Sequence, residues 1–248
     1  MMGVPQLVSV LMGTCKGRKP LLKQAVKYFH RQDYNPKELL IVDDDPEPGD
    51  LSFIDHPAVK YIHLDRPARI GEKMNVAVKA SKADHFIKLD DDDWHSPKLV
   101  SALMTELYEE DPKASLIGHR YFPVFMLEDW TVKEPERVRT GAAVCFHRRI
   151  WSRRQFREDT QVEDTYFFND HKDDARNEDL HDPSLLVMVR HGIGHLWTVR
   201  DSRSHMELLR ESRDYGKKIE ELIPAEDVEF YRNLRGRLWP EKAAIASA

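Results

Sequence analysis

Four consecutive aspartates, Asp90 to Asp93, follow the apolar run 85–89 and precede Trp94. Four like charges in a row repel one another, so a fold that holds them together needs a compensating positive charge. Carboxylate oxygens are the ligands that hard divalent cations prefer. A solvated acidic loop is the ordinary interpretation of such a run. The strand-like segment before it and a helix start at Ser96-Pro97 after it favour a metal site.

A second acidic segment, Asp43 to Asp45, ends the apolar run 39–42. The carboxyl ends of parallel strands share one edge of a sheet, where open α/β folds bind ligands. We therefore expect one acidic segment to contact a base or ribose and the other to hold a metal that neutralises a diphosphate. The chain has neither a GxxxxGK[ST] nor a GxGxxG motif, so the metal is the expected phosphate contact.

Apolar periodicity predicts strands alternating with helices over the first part of the chain. Strands are expected at 7–12, 39–42, 59–64 and 85–89, with helices from Pro20, at 74–80 and from Pro97. This order is typical of an α/β fold with a Rossmann-like, mostly parallel sheet flanked by helices.

The pattern is less regular after residue 115. Shorter strands are expected at 115–119, 121–127, 130–133, 140–147 and 185–190, and 163–169 and 217–238 are expected to be helical. The chain therefore divides into 1–115, 116–200 and a charged helical C-terminal extension at 201–248.

Composition points to a soluble cytoplasmic protein. Hydrophobic residues make up 41% of the 248 residues, enough for a core, and no segment approaches the about 20 apolar residues of a membrane span. The N-terminus has no charged region typical of a secretion signal. Two cysteines, Cys15 and Cys145, are compatible with a reducing compartment and form no zinc pattern.

Several ordered motifs resemble those of the family 2 glycosyltransferases of GT-A fold, in a variant whose metal motif reads Asp-Asp-Asp-Asp-Trp. The resemblance spans roughly residues 6–200. It implies a nucleotide-sugar-binding half at 1–115 and, in the same domain, an acceptor-binding half at 116–200 with a small mixed sheet. It rests on the segments Leu7–Thr14, Leu39–Asp45, Ile70–Asn75, Leu89–Trp94, Thr140–Ala143 and Glu163-Asp164.

The resemblance implies a Mn²⁺ or Mg²⁺ site. Asp92 would be the main metal ligand, and Asp90 would contact the metal through water or hold the ribose. A histidine after the last strand is implied as a further ligand. His191 fits that place best, and His195 and His205 are the alternatives.

The remaining roles follow from the same resemblance. Asp44 would bind the base, expected to be uracil, and Asp91 would lie with the nucleotide site, where it and Asp93 shape the turn. Asp164 would be the catalytic base. Thr14, Lys73 and Asn75 are further nucleotide-binding candidates, and Trp94, Gly141, Ala142 and Glu163 are candidates for the sugar and acceptor.

The implied reaction is an inverting transfer of a sugar from a UDP-sugar to an acceptor hydroxyl. Arginine-rich segments at 147–157 and 200–213 would suit DNA carrying a hydroxymethylated base, whereas a cell-surface glycan is the other acceptor considered. A nucleotidyltransferase is an alternative function, because Gly13–Lys19 partly matches the first loop of that class of enzyme. A nuclease and a non-catalytic binding module are weaker alternatives. The sequence names neither the sugar nor the oligomeric state.

Overall fold

The computed structural model describes residues 5–109, 116–119, 122–134, 140–158, 162–172, 177–180, 182–192 and 209–241. Within these ranges the chain folds as alternating strands and helices, followed by shorter strands and a final helix. The α/β class expected from the sequence is confirmed.

The main sheet has seven strands in the order β10-β6-β9-β4-β1-β2-β3. Their bounds are β1 (Val8–Thr14), β2 (Lys37–Asp43), β3 (Val59–His63), β4 (His85–Leu89), β6 (Leu116–His119), β9 (Thr140–His147) and β10 (Asn177–Leu180). A second, mixed sheet has the order β5-β11-β7-β8. It comprises β5 (Trp94–His95), β7 (Val124–Met126), β8 (Thr131–Lys133) and β11 (Leu186–Arg190).

Helices cover both faces of the main sheet. They are α1 (Lys19–Arg31), α2 (Ile70–Ala80), α3 (Leu99–Glu109), α4 (Arg148–Arg153), α5 (Glu163–Asp170) and α6 (Ala225–Leu238). Apolar residues of α1 and α3 share one core with the sheet, and those of α2, α4 and α5 share another on the opposite face. The sequence pattern did not predict α4, β5 or β10. No helix in the described part of the chain has the length and apolar character to cross a membrane.

Strand direction brings distant segments to one edge of the main sheet. β1 lies between β2 and β4 and is parallel to both, with Thr14 opposite Asp43. β9 is antiparallel to β4, with Ala143 opposite Leu89, so β9 begins where β4 ends. The carboxyl ends of β1, β2 and β4 and the start of β9, including Gly141 and Ala142, therefore meet at the same edge.

A buried carboxylate in the first turn of α6 holds that helix to the rest of the fold. Asp227 is fully buried and accepts hydrogen bonds from Gln24 Nε2 at 3.0 Å and from Trp94 Nε1 at 2.9 Å. Arg31 Nη1 adds contacts at 2.9 and 2.8 Å to its two oxygens. Segment 201–248, expected to be an extension, thus contains a helix whose apolar side shares a core with the second sheet.

Replacement of Asp227 by alanine should lower the free energy of unfolding by about 2–4 kcal/mol, because the buried donors of Gln24 and Trp94 lose their acceptor and Arg31 loses one of its two acidic partners. Chemical denaturation monitored by circular dichroism measures this. Glu226 is the matched control, since it precedes Asp227 and also pairs with Arg31, at 2.7 Å, but its side chain is 67% exposed. Glu226→Ala should cost at most about 1 kcal/mol. Equal losses in the two variants would contradict the anchoring role of Asp227.

Candidate metal and nucleotide site

Three of the predicted nucleotide-binding residues meet at the shared sheet edge. Lys73 on α2 donates to the backbone oxygen of Thr14 at 2.6 Å and pairs with Asp44 Oδ1 at 2.7 Å. The other oxygen of Asp44 accepts a hydrogen bond from the backbone N–H of Ala68 at 2.8 Å. These contacts fix the loops after β1 and β2 relative to α2.

The aspartate run forms a compact set of oxygen donors at the end of β4. Ligand oxygens of Asp90, Asp92 and Asp93 all lie within 4.8 Å of one another. Asp90 has the most accessible side chain of the three, with 34% exposed, whereas Asp92 and Asp93 are buried. Three converging carboxylates match the hard oxygen ligands of Mg²⁺ and Mn²⁺. The residues present therefore fit a divalent cation, and Asp93, expected only to shape the turn, belongs to the set.

The second sheet supports this cluster from the other side. Asp93 Oδ1 accepts a hydrogen bond from the backbone N–H of Val189 on β11 at 2.8 Å. His191, directly after β11, places Nε2 at 3.0 Å from Asp92 Oδ2 and is buried. Of the three candidate histidines, His191 therefore lies at the cluster, while His195 and His205 fall outside the described residues.

Arg18, at the start of α1, is a member of the site that sequence reasoning missed. Its Nη2 lies 2.9 Å from Asp91 Oδ1 and also forms an ion pair with Asp92 Oδ2. All three side chains are buried. Burial opposes ionisation of Asp92, but Arg18 and His191 more than offset it and hold the pKa of Asp92 well below its usual range. Burial raises the pKa of Asp91 despite Arg18.

Lys88 is a second buried cation at the site, and it lies within the otherwise mostly apolar run 85–89. Its Nζ lies 2.9 Å from Asp90 Oδ1 and 3.4 Å from Glu163 Oε1. Burial disfavours the ammonium, yet the charges of Asp90 and Glu163 raise the pKa of Lys88 above its usual value. Burial raises the pKa of Glu163 to about 7, with Lys88 opposing that shift.

Asp164 lies in the first turn of α5, beside Glu163. Its side chain is partly exposed, and Oδ1 accepts a hydrogen bond from the backbone N–H of Thr165 at 2.7 Å. Asp164 also contributes to the raised pKa of Lys88, which in turn contacts Asp90. The expected base therefore lies within electrostatic range of the cation that contacts the aspartate cluster.

Three of the predicted site residues are buried and contact other residues of the protein. Asn75 is buried, and its amide bonds to the backbone of Phe156, to Trp151 Nε1 and to Glu158. Trp94 packs in a core with apolar residues of the second sheet and donates to Asp227. The side chain of Asp91 is fully buried, with Oδ1 at 2.9 Å from Arg18 Nη2.

The family model for glycosyl transferase family 2 matches residues 9–173. This segment includes β1, β2, the aspartate run and the Glu163-Asp164 pair, and it makes up more than half of the chain. The chain belongs to glycosyl transferase family 2. The resemblance inferred from the motifs is thereby confirmed.

Individual relatives agree with this family membership. WcaA of Escherichia coli (strain K12), whose name assigns it to glycosyl transfer in colanic acid biosynthesis, is 28% identical over 120 residues. The match spans 46% of this chain and only 40% of WcaA.

Two solved structures share the fold. The mannosyltransferase PcManGT from Pyrobaculum calidifontis, in complex with GDP-Man and Mn²⁺, has a TM-score of 0.63 at 16% identity, covering 98% of this chain and 74% of that one. TarS of S. aureus, residues 1–349 in complex with UDP, has a TM-score of 0.56 at 14% identity, covering 93% and 70%. At these identities the likeness establishes the GT-A fold alone.

Loss of Asp92 and loss of Asp91 should have different effects on cation binding by this family 2 chain. Asp92→Asn removes one of the converging carboxylates and should weaken Mn²⁺ binding. The loss of affinity should exceed that caused by removing an outer-shell partner, which is typically about 10–100-fold. Asp91→Asn should leave Mn²⁺ affinity largely unchanged, because Asp91 contacts Arg18 and lies outside the set of converging oxygens. Isothermal titration of each variant with MnCl₂ measures this, and equal losses would contradict the division.

Proposed function

We propose that this protein is a metal-dependent, inverting glycosyltransferase that moves a sugar from a nucleotide-sugar to an acceptor hydroxyl. The observation that carries the proposal is the convergence of Asp90, Asp92 and Asp93 within 4.8 Å, in a chain of glycosyl transferase family 2. The Lys73–Asp44 pair lies at the same sheet edge, where α/β folds bind nucleotides.

Asp90, Asp92 and Asp93 would hold the cation, with His191 beside Asp92 as the further ligand. When bound, Mn²⁺ or Mg²⁺ supplies positive charge that stabilises a leaving diphosphate. Lys73, Thr14 and Asp44 would hold the nucleoside at the neighbouring strand ends. This assignment keeps the donor at the edge where β1, β2 and β4 end.

Asp164 would accept the proton of the acceptor hydroxyl as that oxygen attacks the anomeric carbon. Its partial exposure leaves it accessible to an acceptor, while Glu163 beside it is buried and paired with Lys88. A single displacement by one base inverts the anomeric configuration, and we assign no second carboxylate as the nucleophile that retention requires.

A UDP-sugar is the proposed donor, from the resemblance at Leu39–Asp45. The two similar structures bind different nucleotides, UDP in TarS and GDP-Man in PcManGT, and a panel of nucleoside diphosphates distinguishes the two bases. Arg18 argues against a nucleotidyltransferase, because this residue of the Gly13–Lys19 loop is buried against the aspartates and is not presented to a triphosphate.

A glycan is the acceptor we propose. The relative WcaA is named as a glycosyl transferase of colanic acid biosynthesis, which supports this choice. A hydroxymethylated base in DNA, the alternative, receives little support from the described arginines of the basic segments. Five of these pair with acidic residues within the protein: Arg148 with Asp84, Arg154 and Arg157 with Asp170, Arg210 with Glu128 and Asp129, and Arg213 with Glu134.

Nucleoside diphosphates should stabilise the protein only together with a cation, because the diphosphate contact requires the metal. Thermal unfolding is measured with UDP, GDP, ADP or CDP, each with and without MnCl₂. We expect the largest rise in Tm with UDP plus Mn²⁺ and a far smaller rise with UDP alone. Stabilisation by GDP in preference to UDP would overturn the choice of uracil, and the absence of any shift would count against nucleotide-sugar chemistry.

Asp164→Asn should lower kcat by about 10²–10⁴-fold, the usual contribution of a general base. The amide is isosteric but cannot take a proton, so Mn²⁺ and UDP affinities should be unchanged. The control is Asp170→Asn, at the other end of the same helix, where the carboxylate pairs with Arg157 at 2.7 Å. Donor turnover in the presence of a screened acceptor measures the effect. Unchanged turnover in Asp164→Asn would exclude this residue as the base.

A further inference from the structure

Lys88 is an unusual residue for its position in the sheet. It lies on β4, the strand between β1 and β9, and its side chain is only 4% exposed. Phe86 and Ile87 before it and Leu89 after it are all buried and apolar. Burying an ammonium is costly unless it is paired, and an apolar side chain would fill this position without that cost. The contacts of Lys88 must therefore account for its presence.

The ammonium contacts acidic groups from two separate parts of the chain. Asp90, whose Oδ1 lies at 2.9 Å, is one of the converging carboxylates, and Glu163, whose Oε1 lies at 3.4 Å, belongs to the first turn of α5. Both carboxylates therefore lie next to the same buried cation. The contact links the end of β4 to the start of α5 directly.

Strand geometry explains how one side chain reaches both groups. Alternate residues of a strand project to the same face, so Phe86 and Lys88 share the face on which α5 packs, and Asp90 follows directly after the strand. Phe86 stacks on Phe146, and Phe146 contacts Phe167 of α5, with centroid separations of 5.3 and 5.2 Å. These rings hold the body of α5 against the sheet, and Lys88 holds its first turn.

We propose that Lys88 is a positioning residue that orients the carboxylate of Asp90 for the cation and fixes the first turn of α5, which carries Asp164. The inference rests on the proposed function, because it takes Asp90 as a ligand and Asp164 as the base. A carboxylate held through one oxygen has a defined orientation, and loss of such an outer-shell partner typically weakens metal binding by about 10–100-fold.

The alternative is that Lys88 only balances charge. The two roles predict opposite signs for Mn²⁺ affinity in Lys88→Met. If Lys88 only balances charge, its removal leaves the cluster more negative and Mn²⁺ binds more tightly. If Lys88 orients Asp90, Mn²⁺ binds more weakly although the repulsive cation is gone.

The experiment compares Lys88→Met, Glu163→Gln and the double variant with the wild type in the full-length protein. Mn²⁺ affinity is measured by isothermal titration without nucleotide, kcat and KM by UDP-sugar turnover, and Tm by thermal unfolding without metal. Lys88→Met should weaken Mn²⁺ binding by about tenfold or more. Glu163→Gln should retain Mn²⁺ affinity, since Lys88 still contacts Asp90, but should lower kcat.

The double variant keeps the proposal testable if Lys88→Met is poorly folded. Glu163→Gln removes the buried acid that Lys88→Met leaves without this cation, so the double variant should recover Tm while its Mn²⁺ affinity stays low. Leu103→Ala controls for general destabilisation. Leu103 is fully buried on α3, in the core on the opposite face of the sheet, so this variant should lose Tm but keep its Mn²⁺ affinity.

Unchanged or tighter Mn²⁺ binding in Lys88→Met would overturn the proposal while leaving the proposed function intact. A loss of Mn²⁺ affinity in Leu103→Ala equal to that in Lys88→Met would also overturn it. A wild-type protein that binds neither Mn²⁺ nor nucleoside diphosphates would instead remove the proposed function, and this inference with it.

Discussion

The site depends on how a concentration of buried negative charge is compensated. Three of the four aspartates at the end of β4, together with Glu163, contact two buried cations, Arg18 and Lys88. Arg18 compensates Asp91 and Asp92, and Lys88 compensates Asp90 and Glu163. Ion pairs of this kind add less stability than their number suggests, because the cost of removing both charges from water offsets their mutual attraction.

Sheet topology makes this compensation geometrically available. Parallel pairing of β1 with β4 puts the start of α1, and hence Arg18, next to the end of β4. β9 is antiparallel to β4, so it starts at this edge and runs away from it. The chain after β9 returns, and the first turn of α5 lies next to Lys88 near the same edge. β11 contributes from the second sheet, where the backbone of Val189 holds Asp93. Residues separated by about a hundred positions thus lie together at one site.

The helix α6 lies outside the segment that the family model matches, yet it also contacts residues next to the site. Trp94 directly follows the aspartate run, and its indole N–H is held by Asp227. Since Asp227 also binds Arg31 and Gln24, α1 and the strand that continues the metal motif share one buried acceptor. The C-terminal segment therefore supports the site by packing, although it contributes no predicted ligand among its described residues.

Local pattern in the sequence was enough for most of the architecture. Apolar periodicity predicts a strand at 85–89, which are the observed bounds of β4. The alternation of strands and helices predicts parallel strands, and β2 and β4 do bring their acidic ends to one edge. Tertiary structure alone decided the partners. It placed His191 at Asp92, turned Asp91 towards Arg18 and Asn75 towards Trp151, and joined Lys88 to Glu163. Such pairs are far apart along the chain, and only the packing of helices on the sheet sets the distances between them.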